Sequence, residues 1–150
     1  MTLDHAEVAA QLTAPGGPFE TVVVEREGHA VTAFKNAPAS LRDIFATARE
    51  RGGQTFLVYE DERLSFADVM AEVDALAAAL VGHYGVSKGD RVAIGMRNYP
   101  EWAVAFAALP SIGALPVSLN ALVVVAGGAS PLQACGASCV VAVLLPADGR

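Results

Sequence analysis

The chain has 150 residues, 53% of them hydrophobic and 7% aromatic, a length and composition that fit one core-forming domain and exclude a disordered chain. A net charge of −6 with a pI near 4.9 leaves no basic stripe for nucleic acid. The two cysteines, Cys135 and Cys139, have no His or further Cys nearby, fall short of a four-ligand zinc site, and read as small buried hydrophobes in a reducing compartment.

Met1 to Gln11 is charged and lacks an apolar core segment, so no secretory signal is expected there and a cytoplasmic protein is the expectation. Residues 1–36 read as an extended N-terminal arm. A short amphipathic start meets the breaker Pro15-Gly16-Gly17-Pro18, and Val22-Val23-Val24 follows as a short strand. Phe34 to Pro38 is a second connector. Ser40 then opens a helix with Asp43 three residues on, in capping-box spacing, and Leu41, Ile44, Phe45 and Ala48 share one face. Gly52-Gly53 ends it. Thr55 to Tyr59 has strand character, Glu60-Asp61-Glu62 forms a solvated hairpin tip rather than a cation site, and Arg63-Leu64 begins the return.

Ser65 caps the next helix with Asp68 at its third position. Phe66, Val69, Met70, Val73, Leu76, Ala77 and Leu80 then recur at helical spacing and mark a core face. His83, near the C-terminal end, reads as a surface histidine favoured by the helix dipole. From Gly85 to Asn120 the chain spells turn, strand, helix and strand. Arg91 to Met96 is the first apolar run, Asn98 caps the helix with Glu101 answering, Gly113 stops it, and Leu115 to Leu119 is the second run. This is a βαβ unit, so the fold class is α/β with a mostly parallel sheet, preceded by a helical-hairpin region.

Between Glu101 and Asp148 no charged side chain occurs. The stretch 103–147 is long enough to suggest a membrane span, but Pro110, Pro116, Asn120 and the glycine stops interrupt it. A buried parallel strand with its covering helix gives the same near-continuous apolar run, and that is the reading adopted.

The ordered set Gly89-Asp90-Arg91-Val92-Ala93-Ile94, Asn98, Glu101-Trp102, Gly113-Ala114 and Leu119-Asn120 closely resembles the N-terminal part of AMP-forming acyl-CoA synthetases, the fatty-acid–CoA ligases of the adenylate-forming superfamily. The strand, acidic turn and Leu64-Ser65-Phe66-Ala67-Asp68 upstream fit the same family, so the resemblance spans residues 37–120. Leu12 to Glu20 is similar to the leader of fatty-acid-type members. The resemblance implies a parent enzyme that activates a carboxylic acid with ATP and magnesium to an acyl-AMP and passes the acyl group to coenzyme A.

Residues 121–150 depart from the pattern. Gly127-Gly128 and Pro131 interrupt the acidic helix usual there, Ser118 replaces a usual proline, and Pro110 sits late in the preceding helix. Cys139 to Leu145 again resembles the family's next strand. The glycine-rich phosphate loop ending in Lys-Gly, the magnesium segment, the ribose-binding Asp and the late catalytic Lys have no counterpart. Gly127-Gly128-Ala129-Ser130 has no cation within reach in sequence, Gly95-Met96-Arg97-Asn98 is not a dinucleotide-binding turn, and Ser65, His83 and Asp90 lack a nucleophile elbow. No catalytic, cofactor-binding or metal residue is therefore assigned. An N-terminal fragment or truncated homologue is expected, inactive alone and binding no ATP, magnesium or coenzyme A. Two alternatives stay open: a non-catalytic module that pairs with a complementary polypeptide, and a membrane-associated protein using residues 103–147.

Overall fold

The structure is a computed structural model, and it describes residues 4–119 and 134–142. The chain divides into two compact units, Met1–Ala39 and Ser40–Arg150.

In the first unit, Asp4 caps helix α1 (His5–Thr13) by accepting the Ala6 N–H at 3.0 Å. Strands β1 (Thr21–Arg26) and β2 (His29–Phe34) then pair antiparallel through the two-residue loop Glu27-Gly28. Both loop residues have positive φ, +51° and +79°, which is what a hairpin turn matching strand twist demands. The stretch read as an extended arm is thus a helix and a hairpin. The missed signal was Glu27-Gly28 between two β-rich runs. The Glu20 carboxylate accepts from Lys35 Nζ at 2.9 Å and from the Gly16 N–H at 3.1 Å, and these bonds hold its pKa below the ordinary carboxylate value.

In the second unit both serine N-caps lie where the sequence puts them, and the Ser65–Asp68 pair closes a full capping box. Ser40 accepts the Asp43 N–H at 3.3 Å and opens α2 (Leu41–Ala48), which tightens into a 3₁₀ turn at Arg49–Arg51. Strands β3 (Thr55–Tyr59) and β4 (Glu62–Ser65) form an antiparallel hairpin, so a β-hairpin separates the two helices. Ser65 accepts the Asp68 N–H at 3.1 Å while Asp68 accepts the Ser65 N–H at 3.0 Å, and α3 (Phe66–Gly82) follows. Val69, Met70, Val73, Ala77 and Leu80 are its buried residues, all from the predicted face.

The βαβ unit is β5 (Arg91–Ile94), α4 (Pro100–Ser111) and β6 (Leu115–Ser118), with β7 (Cys139–Val141) completing a three-stranded parallel sheet in the order β6-β5-β7. Central β5 is sealed: Val92, Ala93 and Ile94 are 0% exposed. The start of α4 differs from the sequence expectation. Its N-cap is Tyr99, with no side-chain cap, rather than Asn98 paired with Glu101. Pro100 is the reason. Proline has no N–H to leave unpaired and a φ preset for the first helical position, and it pushes the residue before it into extended backbone (Tyr99, ψ 165°).

The end of α4 is a Schellman motif. The Ala114 N–H reaches the Leu109 carbonyl and the Gly113 N–H the Pro110 carbonyl, both at 3.0 Å, with Gly113 at φ +79°. Pro110 therefore does not break the helix, which continues to Ser111.

Two apolar clusters share α4. Ala105 and Leu109 pack with Val92, Ile94, Leu80 and Val86, while Val104, Ala107 and Ala108 pack with Val69, Met70, Val73 and Ala77. A helix packed on the sheet and on α3 is apolar nearly all round. That accounts for the absence of charge along α4 after Glu101, and no helix among the described residues is long and apolar enough to cross a membrane.

Candidate functional site

Strands β6 and β7 flank β5 on opposite sides, so the chain reverses its direction of travel across the sheet at β5. In open parallel sheets the carboxyl end of the strand at such a reversal is where ligands sit. The loop leaving β5 there is Gly95-Met96-Arg97-Asn98-Tyr99. The Gly95 N–H bonds the Val141 carbonyl at 2.9 Å, and the Leu119 N–H bonds the Ile94 carbonyl at 3.0 Å, tying this loop to both neighbouring strands. Buried Met96 anchors it from below.

Tyr59, at the end of β3, joins Arg97, Asn98 and Tyr99 around an open recess of 360 Å³. The rings of Tyr59 and Tyr99 meet edge to face, centroids 5.7 Å apart at 83°. The Tyr59 phenol is held above its ordinary pKa, chiefly by partial desolvation, then by the negative charge of Glu60. Tyr99 and Glu101 push the same way, and Arg97 opposes them. Such a recess offers hydrogen bonds and ring faces to a ligand. Its lining contains neither a nucleophile paired with a base nor a carboxylate pair, so it provides recognition groups without a reaction centre.

The motifs weighed for chemistry are not brought together. Ser65 is engaged in the α3 cap, and the Asp90 carboxylate accepts the Ser87 N–H at 2.8 Å. His83 is the C-cap of α3, some 27 Å along the helix from Ser65 at 1.5 Å per residue. At the β3–β4 tip the Arg63 guanidinium donates to the carbonyls of Glu60 (3.0 Å) and Glu62 (2.9 Å). Among the described residues no group of three His, Cys, Asp or Glu is placed to hold a metal ion. Cys139 packs against the core cluster, and Cys135 is half-buried. The Gly127-Gly128-Ala129-Ser130 stretch and Pro131 lie outside the described residues.

Gly89-Asp90-Arg91 serves the scaffold. The Gly89 N–H bonds the Gly113 carbonyl at 2.9 Å, and the Asp90 carbonyl accepts the Leu115 N–H at 2.8 Å, so this turn locks β5 to the strand that follows α4. The sequence reading did not single out Tyr59 with Tyr99 or Arg97. The available signal was a cation and an aromatic directly after a buried strand.

Comparison with known proteins places these elements. A family model described as AMP-binding enzyme matches residues 44–149. Among curated proteins, the medium/long-chain-fatty-acid--CoA ligase FadD6 of Mycobacterium tuberculosis is 33% identical over 100 residues, covering 66% of this chain and 17% of the relative. The acetyl-coenzyme A synthetase of Halorhodospira halophila is 40% identical over 87 residues, covering 54% and 12%. Among solved structures, the Klebsiella oxytoca NpsA N-terminal subdomain in complex with anthranilyl-AMSN superposes with a TM-score of 0.62 at 27% identity, over 69% of this chain and 27% of that one. The O-succinylbenzoate coenzyme A synthetase of Bacillus subtilis, in complex with AMP, gives 0.59 at 26% identity, over 65% and 26%. The chain thus spans less than a fifth of the length of these two curated relatives.

Proposed function

The chain belongs to the AMP-binding enzyme family of adenylate-forming acyl–CoA ligases, and on that premise we propose that it is the N-terminal scaffold portion of an ATP-dependent acyl-CoA synthetase. The whole enzyme joins a fatty or other carboxylic acid to the thiol of coenzyme A through an acyl-AMP, consuming ATP. This portion supplies the β5-centred sheet and its helical cover and does not turn over by itself. The observation that carries the reading is the family match over residues 44–149, which begins inside α2 and extends past β7.

The residues described here do not fit ATP and magnesium. A triphosphate needs several cations or a glycine-rich cradle of N–H groups. The recess supplies Arg97 against the nearby carboxylates of Glu60 and Glu101, and the α4 N-terminus opens on Pro100, which has no N–H. No reaction step is routed through these side chains. A cytoplasmic location goes with this reading. The burial of α4 between the sheet and α3 favours it over membrane attachment through residues 103–147.

The test is ATP–pyrophosphate exchange across a panel of fatty acids. Purified 1–150 should give none. A chimera in which this chain replaces the matching N-terminal part of the mycobacterial ligase should retain exchange. Turnover by 1–150 alone would overturn the proposal, as would a folded chimera without activity.

A further inference from the structure

The first unit, Met1–Ala39, lies before residue 44, where the family match begins, so the family reading assigns nothing to its surface. Its hairpin has two strands and therefore two open edges, and a two-stranded ribbon is marginal on its own. The Lys35 N–H bonds the Glu20 carbonyl at 2.8 Å, which makes Glu20 and Lys35 a hydrogen-bonded pair in the register of the ladder. Alternation then turns the N–H and C=O groups of Val22, Val24 and Arg26 toward β2, and those of Thr21, Val23 and Glu25 away from it. Among the described residues no strand pairs with that outer side. β1 has no proline to block it, and Val23 at its centre is 73% exposed.

We propose that the β1 edge joins the β1 edge of a second copy of this chain, antiparallel about a two-fold axis through Val23, so that the two β1 strands become the centre of a four-stranded sheet. Only registers that set outward residues opposite one another can form a ladder. The register centred on Val23 places Val23 opposite its own copy and Thr21 opposite Glu25, each as a hydrogen-bonded pair, with Val22 opposite Val24 between them. It also places Arg26 of each copy opposite Glu20 of the other. Opposite charges facing across strands stabilise the pairing. Glu20 has room for a further donor, because a carboxylate offers about four lone-pair sites and its oxygens accept from Lys35 and the Gly16 N–H. Sliding by two residues sets Arg26 opposite Val22 or Pro18 and loses both charge pairs, so the charges choose the register. The β2 edge has no such match: the strand carries no carboxylate, and the register centred on Thr32 sets Lys35 opposite His29. A self-complementary pair of this kind uses each β1 edge once and closes at two copies.

The test is sedimentation equilibrium of the full 1–150 chain from about 1 to about 500 µM, the range in which a small interface associates. The mass should rise from monomer to dimer and stop there. Amide hydrogen exchange compared between the two ends of that range should slow by at least about fivefold at Thr21, Val23 and Glu25. At Ala30, Thr32 and Phe34, the outward amides of β2, it should change by less than about twofold. Val23→Pro removes an outward donor and no bond to β2, and should raise the dissociation constant by at least about tenfold. Thr32→Pro makes the same change on the other edge and should alter it by less than about twofold. Arg26→Glu, at an exposed residue, sets like charges opposite at both ends and should raise the constant by about tenfold. It puts no proline in the strand, so it decides the matter if Val23→Pro disturbs the hairpin. A chain still monomeric at the highest concentration, a mass that climbs past the dimer, a dimer indifferent to either Val23→Pro or Arg26→Glu, or protection on the β2 edge alone would overturn the inference. None of these readouts involves ATP–pyrophosphate exchange, so this inference and the functional reading fail separately.

Discussion

Replacing Gly113 with alanine should destabilise the chain by about 2 to 3 kcal/mol, and two separable causes add to that figure. Gly113 sits at φ +79° as the left-handed residue of the Schellman motif, where an L side chain costs about 1–2 kcal/mol. A Cβ built there would lie 3.0 Å from Lys88 Cγ and 3.4 Å from Lys88 Cβ, a contact with the stem of the side chain rather than its mobile tip. Crowding of that kind costs on the order of 1 kcal/mol. The assay is urea unfolding followed by far-ultraviolet circular dichroism and by the fluorescence of Trp102, the single tryptophan, which packs against the core from α4. In melting temperature the loss is about 5 to 10 °C for a chain this size. Lys88→Ala separates the causes because it removes Cγ and leaves Cβ. In that background Gly113→Ala should cost only the backbone share, about 1–2 kcal/mol. A Gly113→Ala variant within about 0.5 kcal/mol of the parent would refute the capping argument. An unchanged penalty in the Lys88→Ala background would refute the assignment to the side-chain contact.

Leu109→Ala, at a residue 0% exposed between sheet and helix, should cost about 3 kcal/mol in the same unfolding assay. Pro110→Ala restores an N–H beneath the Phe106 carbonyl while relaxing the unfolded chain, and should stabilise by about 1 kcal/mol. Its check is a higher urea midpoint at unchanged slope. Asp68 and Asp74 both have depressed folded-state pKa values, Asp68 from its bonds to Ser65 and Asp74 from its bidentate pair with Arg49. Their contribution is therefore fully present above the ordinary aspartate range and lost as pH falls through the depressed values. Asp68→Asn should flatten the acid limb of a stability–pH curve between pH 5 and 2, a range on the order of one to two units either side of the ordinary value. Asp74→Asn should do so by well under about 1 kcal/mol, since that pair is exposed.

Where local chemistry decides, the sequence was legible. Ser40-Asp43 and Ser65-Asp68 cap their helices by bonds within three residues, and both starts lie where that spacing puts them. Asn98-Glu101 has similar spacing and fails, because Pro100 between them fixes the backbone and moves the cap to Tyr99. The competing rule was also local, so this error was correctable from sequence. The second strand of the N-terminal hairpin was legible in the same way, from Glu27-Gly28.

The sequence by itself determined the βαβ unit, the core face of α3 and the family, because period, caps and turn residues are short-range properties that survive without coordinates. Only the tertiary structure decided that β7 lies across β5 from β6, that α4 is apolar because it packs on both the sheet and α3, and that Tyr59 meets Arg97 and Tyr99. Tyr59 and Tyr99 are forty positions apart, and no local pattern encodes their contact. The contact exists because the β3–β4 hairpin and the β5 loop are carried to one place by the packing of α3 and α4. Strand order is likewise non-local: identical apolar runs fit either side of β5, and burial of the whole sheet selects one.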